Sequence, residues 1–76
     1  MTRYFFHIRS RAGKIEDHEG EDFENLEAAL VNAHLAAREI MAEDLRKGQI
    51  DETRLFEIVD ARGQVVARLR FYDAIR

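Results

Sequence analysis

The sequence NLEAALVNAHLAAREIMAEDLRKG at residues 25–48 decides the fold of this chain, because its pattern predicts one long amphipathic helix. Apolar residues recur there at three- and four-residue steps, which places them on one stripe of a helix. Asn25 is a suitable N-cap, and Gly48 can take the left-handed conformation that ends a helix. The stripe predicted to face the core consists of Leu26, Leu30, Ala33, Ala37, Ile40 and Met41.

Three apolar residues of the same segment, Val31, Leu35 and Ala42, fall on the opposite face, where a surface helix is normally polar. Two interpretations stay open. Single apolar side chains are common on protein surfaces, whereas a contiguous apolar patch usually marks an interaction site. The helix is also expected to overhang its sheet, because about 33 Å of helix faces strands of about 23 Å. Val31, Leu35 and Ala42 are therefore the predicted contact residues with a second copy or another protein.

Length and composition predict a single domain over residues 1–76, near the lower limit for an unaided hydrophobic core. The sequence contains no cysteine, which excludes disulfides, thiolate metal sites and thiol catalysis. It has neither the pattern of a signal peptide nor an apolar run long enough to span a membrane. We therefore expect a soluble, cytoplasmic protein.

Alternating apolar and polar residues predict four strands around the helix, at residues 1–10, 14–17, 54–60 and 64–72. Residues 18–24 are predicted to be an acidic connection. The expected fold is an α+β domain with two layers in the order β-β-α-β-β, in which one long helix packs on a four-stranded, mainly antiparallel sheet. Both 2-1-3-4 and 2-1-4-3 strand orders are open. The residues predicted to point toward the helix are Tyr4, Phe6, Ile8, Phe56, Ile58, Val65, Ala67, Leu69 and Phe71.

Four short motifs resemble those of a family of short proteins common in rhizobia and related alphaproteobacteria. They are an Arg-Tyr-Phe-Phe-His strand at residues 3–7, Asp-x-x-Gly at 17–20, Leu-Glu-Ala-Ala at 26–29, and a hairpin from Phe56 to Gly63. Their order and spacing cover nearly the whole chain. The family is described as a domain of unknown function, so the resemblance implies a fold and a bacterial origin and transfers no catalytic residue.

The uncovered face of the predicted sheet offers a second candidate site. It would present aromatic rings between arginines, an arrangement that can stack bases and hold phosphates. Cross-strand ion pairs are the alternative use of such arginines. The residues of this nucleic-acid hypothesis are Phe5, His7, Arg9, Arg68, Arg70 and Tyr72.

Residues 16–27 contain seven acidic residues and no lysine or arginine. Carboxylates are ligands for Ca²⁺ and Mg²⁺, but the spacing is not that of an EF-hand, so a solvated loop and a cation site both stay open. His7, His18 and His34 do not form a paired metal motif, and the glycines do not form a phosphate-binding loop. We predict no catalytic residue, no metal and no cofactor, and hence no enzyme.

The function expected from these patterns is a small bacterial protein-interaction module without enzymatic activity that forms a homodimer. Binding of single-stranded nucleic acid by the open sheet face is the alternative.

Overall fold

The computed structural model describes residues 1–75. Its elements are β1 (Thr2–Ser10), β2 (Gly13–Ile15), β3 (Glu21–Phe23), α1 (Leu26–Arg46), β4 (Leu55–Val59), β5 (Val65–Arg70) and a C-terminal 3₁₀ helix (Phe71–Ile75). One long helix lies against a mainly antiparallel sheet, so the predicted α+β class is confirmed.

The sheet has five strands, and the prediction of four was wrong. β2 and β3 share one edge of β1: β3 pairs with Thr2–Tyr4, and β2 pairs with Ile8–Ser10. The remaining order is β2-β1-β4-β5, which is the first of the two orders left open by the sequence. β3 escaped prediction because it has three residues, two of them acidic, and therefore no alternating pattern.

Helix α1 begins and ends where the sequence predicts. The Asn25 side chain accepts a hydrogen bond from the backbone N–H of Ala28 at 2.9 Å. At the other end Gly48 has a φ of 73°, and the N–H of Gln49 reaches the carbonyl of Asp44 at 2.8 Å. These bonds satisfy backbone groups that have no partner inside the helix, so both ends are well defined.

The core lies between the alanines of α1 and the aromatic residues of the sheet. Ala29, Ala33 and Ala37 are completely buried. Phe71 and Ile58 are the largest side chains that are fully buried among the described residues. Ring contacts join the sheet to the 3₁₀ helix and β1 to β4: the centroids of Phe56 and Phe71 are 4.8 Å apart, and the centroids of Phe6 and Phe56 are 5.9 Å apart. Phe23 extends the ring cluster with contacts to Tyr4 and Phe6.

The strand predicted at residues 64–72 differs from β5 at both ends. A register shift places Val65 opposite Val59, whereas Ala67 lies opposite Ile58, so one residue is extra on β5, as in a β-bulge. Val65 is consequently 41% exposed and does not point into the core. At the other end β5 stops at Arg70, and the chain turns into the 3₁₀ helix.

Asp17 fills the gap that β2 and β3 leave along the edge of β1. Its carboxylate accepts hydrogen bonds from the backbone N–H groups of Phe6 at 3.0 Å, Gly20 at 3.1 Å and Glu19 at 3.2 Å. Its own N–H donates to Nδ1 of His7 at 3.0 Å. Partial burial raises the pKa of Asp17. The backbone donors, and then the nearby His7, lower the pKa by more than burial raises it, so the net pKa lies below its usual value. The carboxylate of Asp17 thus accepts the hydrogen bond from Phe6 that a carbonyl of a neighbouring strand would otherwise accept.

Gly20 allows the acidic loop to approach β1. Its φ is 68°, and a Cβ atom there would lie 2.9 Å from both the ring of Phe5 and the carbonyl oxygen of Tyr4. No side chain fits at that distance from a backbone oxygen without movement of the chain. The Asp-x-x-Gly motif therefore has a structural role. Asp17 anchors the loop to β1 by hydrogen bonds, and Gly20 allows the loop backbone to approach β1 closely.

Replacing Gly20 by alanine is expected to lower the free energy of unfolding by about 2–4 kcal/mol, because backbone strain and a steric clash combine. Gly48→Ala is the matched control, since Gly48 also has a positive φ but has no atom within 4 Å of the added Cβ. The control should lose only about 1 kcal/mol. Urea unfolding of both variants measures the difference, and equal losses would contradict the proposed close contact.

Candidate interaction surfaces

The outer face of α1 carries an exposed apolar row. Val31 is 61% exposed, Leu35 is 53% exposed and Leu45 is 64% exposed, and Ala42 is also exposed. With Arg38 between Leu35 and Ala42, these positions follow steps of four, three, four and three residues. Such a spacing is typical of a helix seam that packs against another helix. We call Val31, Leu35, Ala42 and Leu45 the outer seam.

Arg38 does not block the outer seam, because its guanidinium is bound to the C-terminal 3₁₀ helix. Its Nε donates a hydrogen bond to the carbonyl oxygen of Ala74. Arginine often lays its aliphatic stem along an apolar surface and directs its charge elsewhere. The bond also fixes the 3₁₀ helix beside the C-terminal half of α1.

An apolar groove of about 250 Å³ lies between the C-terminal part of α1 and the 3₁₀ helix. Ala42 and Leu45 belong to both the groove and the outer seam, so the two surfaces are continuous. Ile50 and Ile75 are 61% and 53% exposed there. The apolar residues lining the groove are Met41, Ala42, Leu45, Ile50, Tyr72 and Ile75.

Sequence reasoning missed this groove, because three separate segments form it and the final one was predicted to be a strand. Tyr72 lines the groove, so its predicted place on the open sheet face is wrong. The one available signal was Leu45, which continues the spacing of Leu35 and Ala42 beyond the predicted contact residues.

Glu57 is the centre of the open sheet face, on β4. It is only 6% exposed, and it stands between His7 of β1 and Arg68 of β5. One carboxylate oxygen lies 3.1 Å from Nε of Arg9 and 3.5 Å from Nε of Arg68, while the other is 3.8 Å from Nζ of Lys14. One buried carboxylate therefore holds cations from three different strands.

The surroundings of Glu57 act on its pKa in opposite directions. Burial raises the pKa, whereas the hydrogen bond and charge of Arg9, followed by the charges of Lys14 and Arg68, lower it. The net pKa lies below the ordinary value of 4.5. Glu57 is thus ionised at neutral pH, and its charge is matched by its neighbours.

Five of the six residues in the nucleic-acid hypothesis lie on β1 and β5, and Tyr72 is separate from them. Phe5 is partly covered by the loop at Gly20. His7 is half-buried, and Arg9 and Arg68 both bind Glu57. Arg70 binds Asp73 at 3.0 Å. The arrangement therefore has the cross-strand ion pairs that were the alternative interpretation of these arginines.

The structure also bears on ions and membranes. In residues 1–75, no three His, Asp or Glu side chains are grouped so that they could hold a metal ion. Of the carboxylates in the acidic segment, Asp17 already accepts three backbone hydrogen bonds. No helix in the described part of the chain has both the length and the apolar character needed to cross a membrane.

Replacing Glu57 by glutamine should lower the free energy of unfolding at pH 7 by about 1–3 kcal/mol, because it removes charge-assisted hydrogen bonds while keeping the shape. Since the folded pKa is depressed, the stabilisation is fully present above pH 4.5 and is lost as the pH falls through the folded pKa. The difference between the two proteins should therefore shrink in acid.

Glu16→Gln is the matched control, since the Glu16 side chain is 53% exposed and its one ion pair within residues 1–75 is with Lys14, at 3.8 Å. It should change stability by less than about 0.5 kcal/mol. Chemical denaturation at pH 7 and pH 3 measures both effects. A Glu57→Gln loss that is the same at both pH values would contradict the assigned ionisation.

Comparison with known proteins places the chain in a family. No curated protein and no solved structure matches it. A family model described as "Domain of unknown function (DUF6894)" matches residues 3–72, which are most of the chain. The resemblance to a domain-of-unknown-function family is confirmed at that level, and the chain belongs to the DUF6894 family.

Proposed function

We propose that this protein is a small bacterial protein-interaction module without enzymatic activity, and that it forms a homodimer through the outer seam of α1. The observation that carries the proposal is the exposure of Val31, Leu35 and Leu45 on the face of α1 turned away from the core. A single exposed apolar side chain is ordinary, but a row at helix-packing spacing beside an apolar groove fits an interaction surface.

The energetics favour covering this face. Transfer of apolar surface out of water contributes about 25 cal/mol per Å², or about 1.5–3 kcal/mol for a fully buried leucine or valine. The entropy lost on association opposes this gain. The buried residues of α1 are Ala29, Ala33 and Ala37, which are all small. The larger Val31 and Leu35 remain in water in the single chain. Dimerisation would bury side chains that folding leaves exposed.

The open sheet face gives weaker support to nucleic-acid binding. Arg9, Lys14 and Arg68 share the carboxylate of Glu57, so phosphate contacts would compete with existing ion pairs. The formal net charge of −3 also opposes a polyanion. With Tyr72 in the groove, fewer aromatic rings remain on the sheet for stacking. We therefore propose only the protein-interaction function.

Leu35→Glu is expected to convert the dimer to a monomer, because it places a charge in the middle of the outer seam. Analytical ultracentrifugation at micromolar concentration should give twice the chain mass for the unmodified protein and a single chain mass for the variant. Far-UV circular dichroism should be unchanged, since Leu35 is outside the core.

Ile15→Glu is the control. Ile15 is 67% exposed on β2 and belongs neither to the outer seam nor to the groove lining, so the variant should remain dimeric. An unmodified protein that sediments as a monomer, or a Leu35→Glu variant that stays dimeric, would refute the proposed interface.

A further inference from the structure

We infer that the two copies pair with their α1 helices antiparallel, and that Val31 and Leu35 of each copy occupy the apolar groove of the other. This inference rests on the proposed homodimer. It assigns the groove beside the 3₁₀ helix as the receptor site, and a second copy of this chain as its occupant.

The shape of the α1 surface supports the antiparallel direction. Protruding apolar side chains, Val31 and Leu35, lie in the N-terminal half of the helix, while the groove lies beside its C-terminal half. A two-fold dimer is self-complementary, so each protrusion needs a matching recess on the same chain. In an antiparallel pair, Val31 and Leu35 of each copy lie over the groove of the other copy. Parallel helices would place Val31 against Val31 and leave two apolar grooves in water.

The side chains also match in size when the two-fold axis passes near Arg38. Val31 then faces the partner's Leu45, and Leu35 faces the partner's Ala42. The second pair sets a large residue opposite a small one, which allows close packing of two helices. The first pair joins two exposed apolar side chains. The regular steps of the outer seam keep these pairs on one line along the helices.

Charge favours the same direction. The N-terminal end of α1 follows the acidic segment, and Glu24 and Glu27 are exposed there. At the other end the charges are largely paired, since Arg46 and Lys47 contact Glu43. Arg54 likewise contacts Asp44 and Asp51. Antiparallel pairing places the acidic end of each copy beside this charge-paired end of the other, whereas parallel pairing brings the two acidic ends together.

Arg38 lies near the two-fold axis, where two copies of it would approach each other. The neighbouring Glu39 is exposed, and it has no ion pair within residues 1–75. In the antiparallel arrangement Glu39 of each copy lies close to the partner's Arg38. Each arginine thereby gains a carboxylate across the axis.

Crosslinking distinguishes the two directions, and the absence of cysteine makes the experiment clean. Single-cysteine variants Val31→Cys and Leu45→Cys are each treated with a short bismaleimide, alone and as an equal mixture, with the two chains distinguished by mass. Packed helices lie about 8–10 Å apart, so a short crosslinker is preferable to a direct disulfide.

We expect the mixture to form a crosslinked pair of one Val31→Cys chain and one Leu45→Cys chain, and each variant alone to form little. Strong crosslinking of Val31→Cys with itself would overturn the antiparallel direction while leaving the homodimer in place. Absence of any dimer in sedimentation would refute the homodimer itself, so the two failures are distinguishable.

The groove is tested separately by Ile75→Glu, which changes the 3₁₀ helix and leaves the outer seam intact. We expect the dimer dissociation constant to rise about tenfold or more, as for a buried interface contact. Val66→Glu is the control, because Val66 is 37% exposed on β5 and does not line the groove. Equal affinities for the Ile75→Glu and unmodified proteins, with sedimentation showing a dimer, would exclude the groove as the receptor site.

Discussion

The close packing of three alanines against the aromatic layer of the sheet is the constraint on which the rest of this structure depends. Ala29, Ala33 and Ala37 have no exposed surface, so the helix backbone lies close to the rings beneath it. The sheet and the 3₁₀ helix supply the volume, with Phe56 of β4 and Phe71 of the 3₁₀ helix in contact at 4.8 Å. Small residues on the helix and large ones on the sheet let 76 residues complete a two-layer core. The same contact fixes which face of α1 is turned outward.

Much of the fold was predictable because its signals are local. The cap at Asn25, the periodic alanines and leucines, and the alternation in β1 and β4 each depend on neighbours along the chain. They placed α1 and the inward residues Tyr4, Phe56 and Ile58 correctly. β3 was not predictable, because its pairing with Thr2–Tyr4 comes from the position of the loop and not from its own residues.

The candidate sites were predictable only in part. Val31 and Leu35 follow from the helical period alone, and their exposure confirms that geometry. The groove required knowledge that β5 ends at Arg70 and that Tyr72 lies in the 3₁₀ helix, which has no marker in the sequence. Cross-strand ion pairs of Glu57 with the arginines were one of the interpretations that the sequence left open, and the structure has them for Arg9 and Arg68. The addition of Lys14 was not predicted, because it depends on how β2 pairs with β1.

The pairing of β1 with β4 has a consequence for how the chain folds. These two central strands are separated by most of the sequence, from Ser10 to Leu55, so their contact closes a long loop at an entropic cost. Proteins with such distant contacts fold more slowly than those with neighbouring contacts. Nearly half of the intervening residues belong to α1, which shortens the disordered path when it forms first. Early helix formation would thus accelerate the search by which β1 and β4 meet.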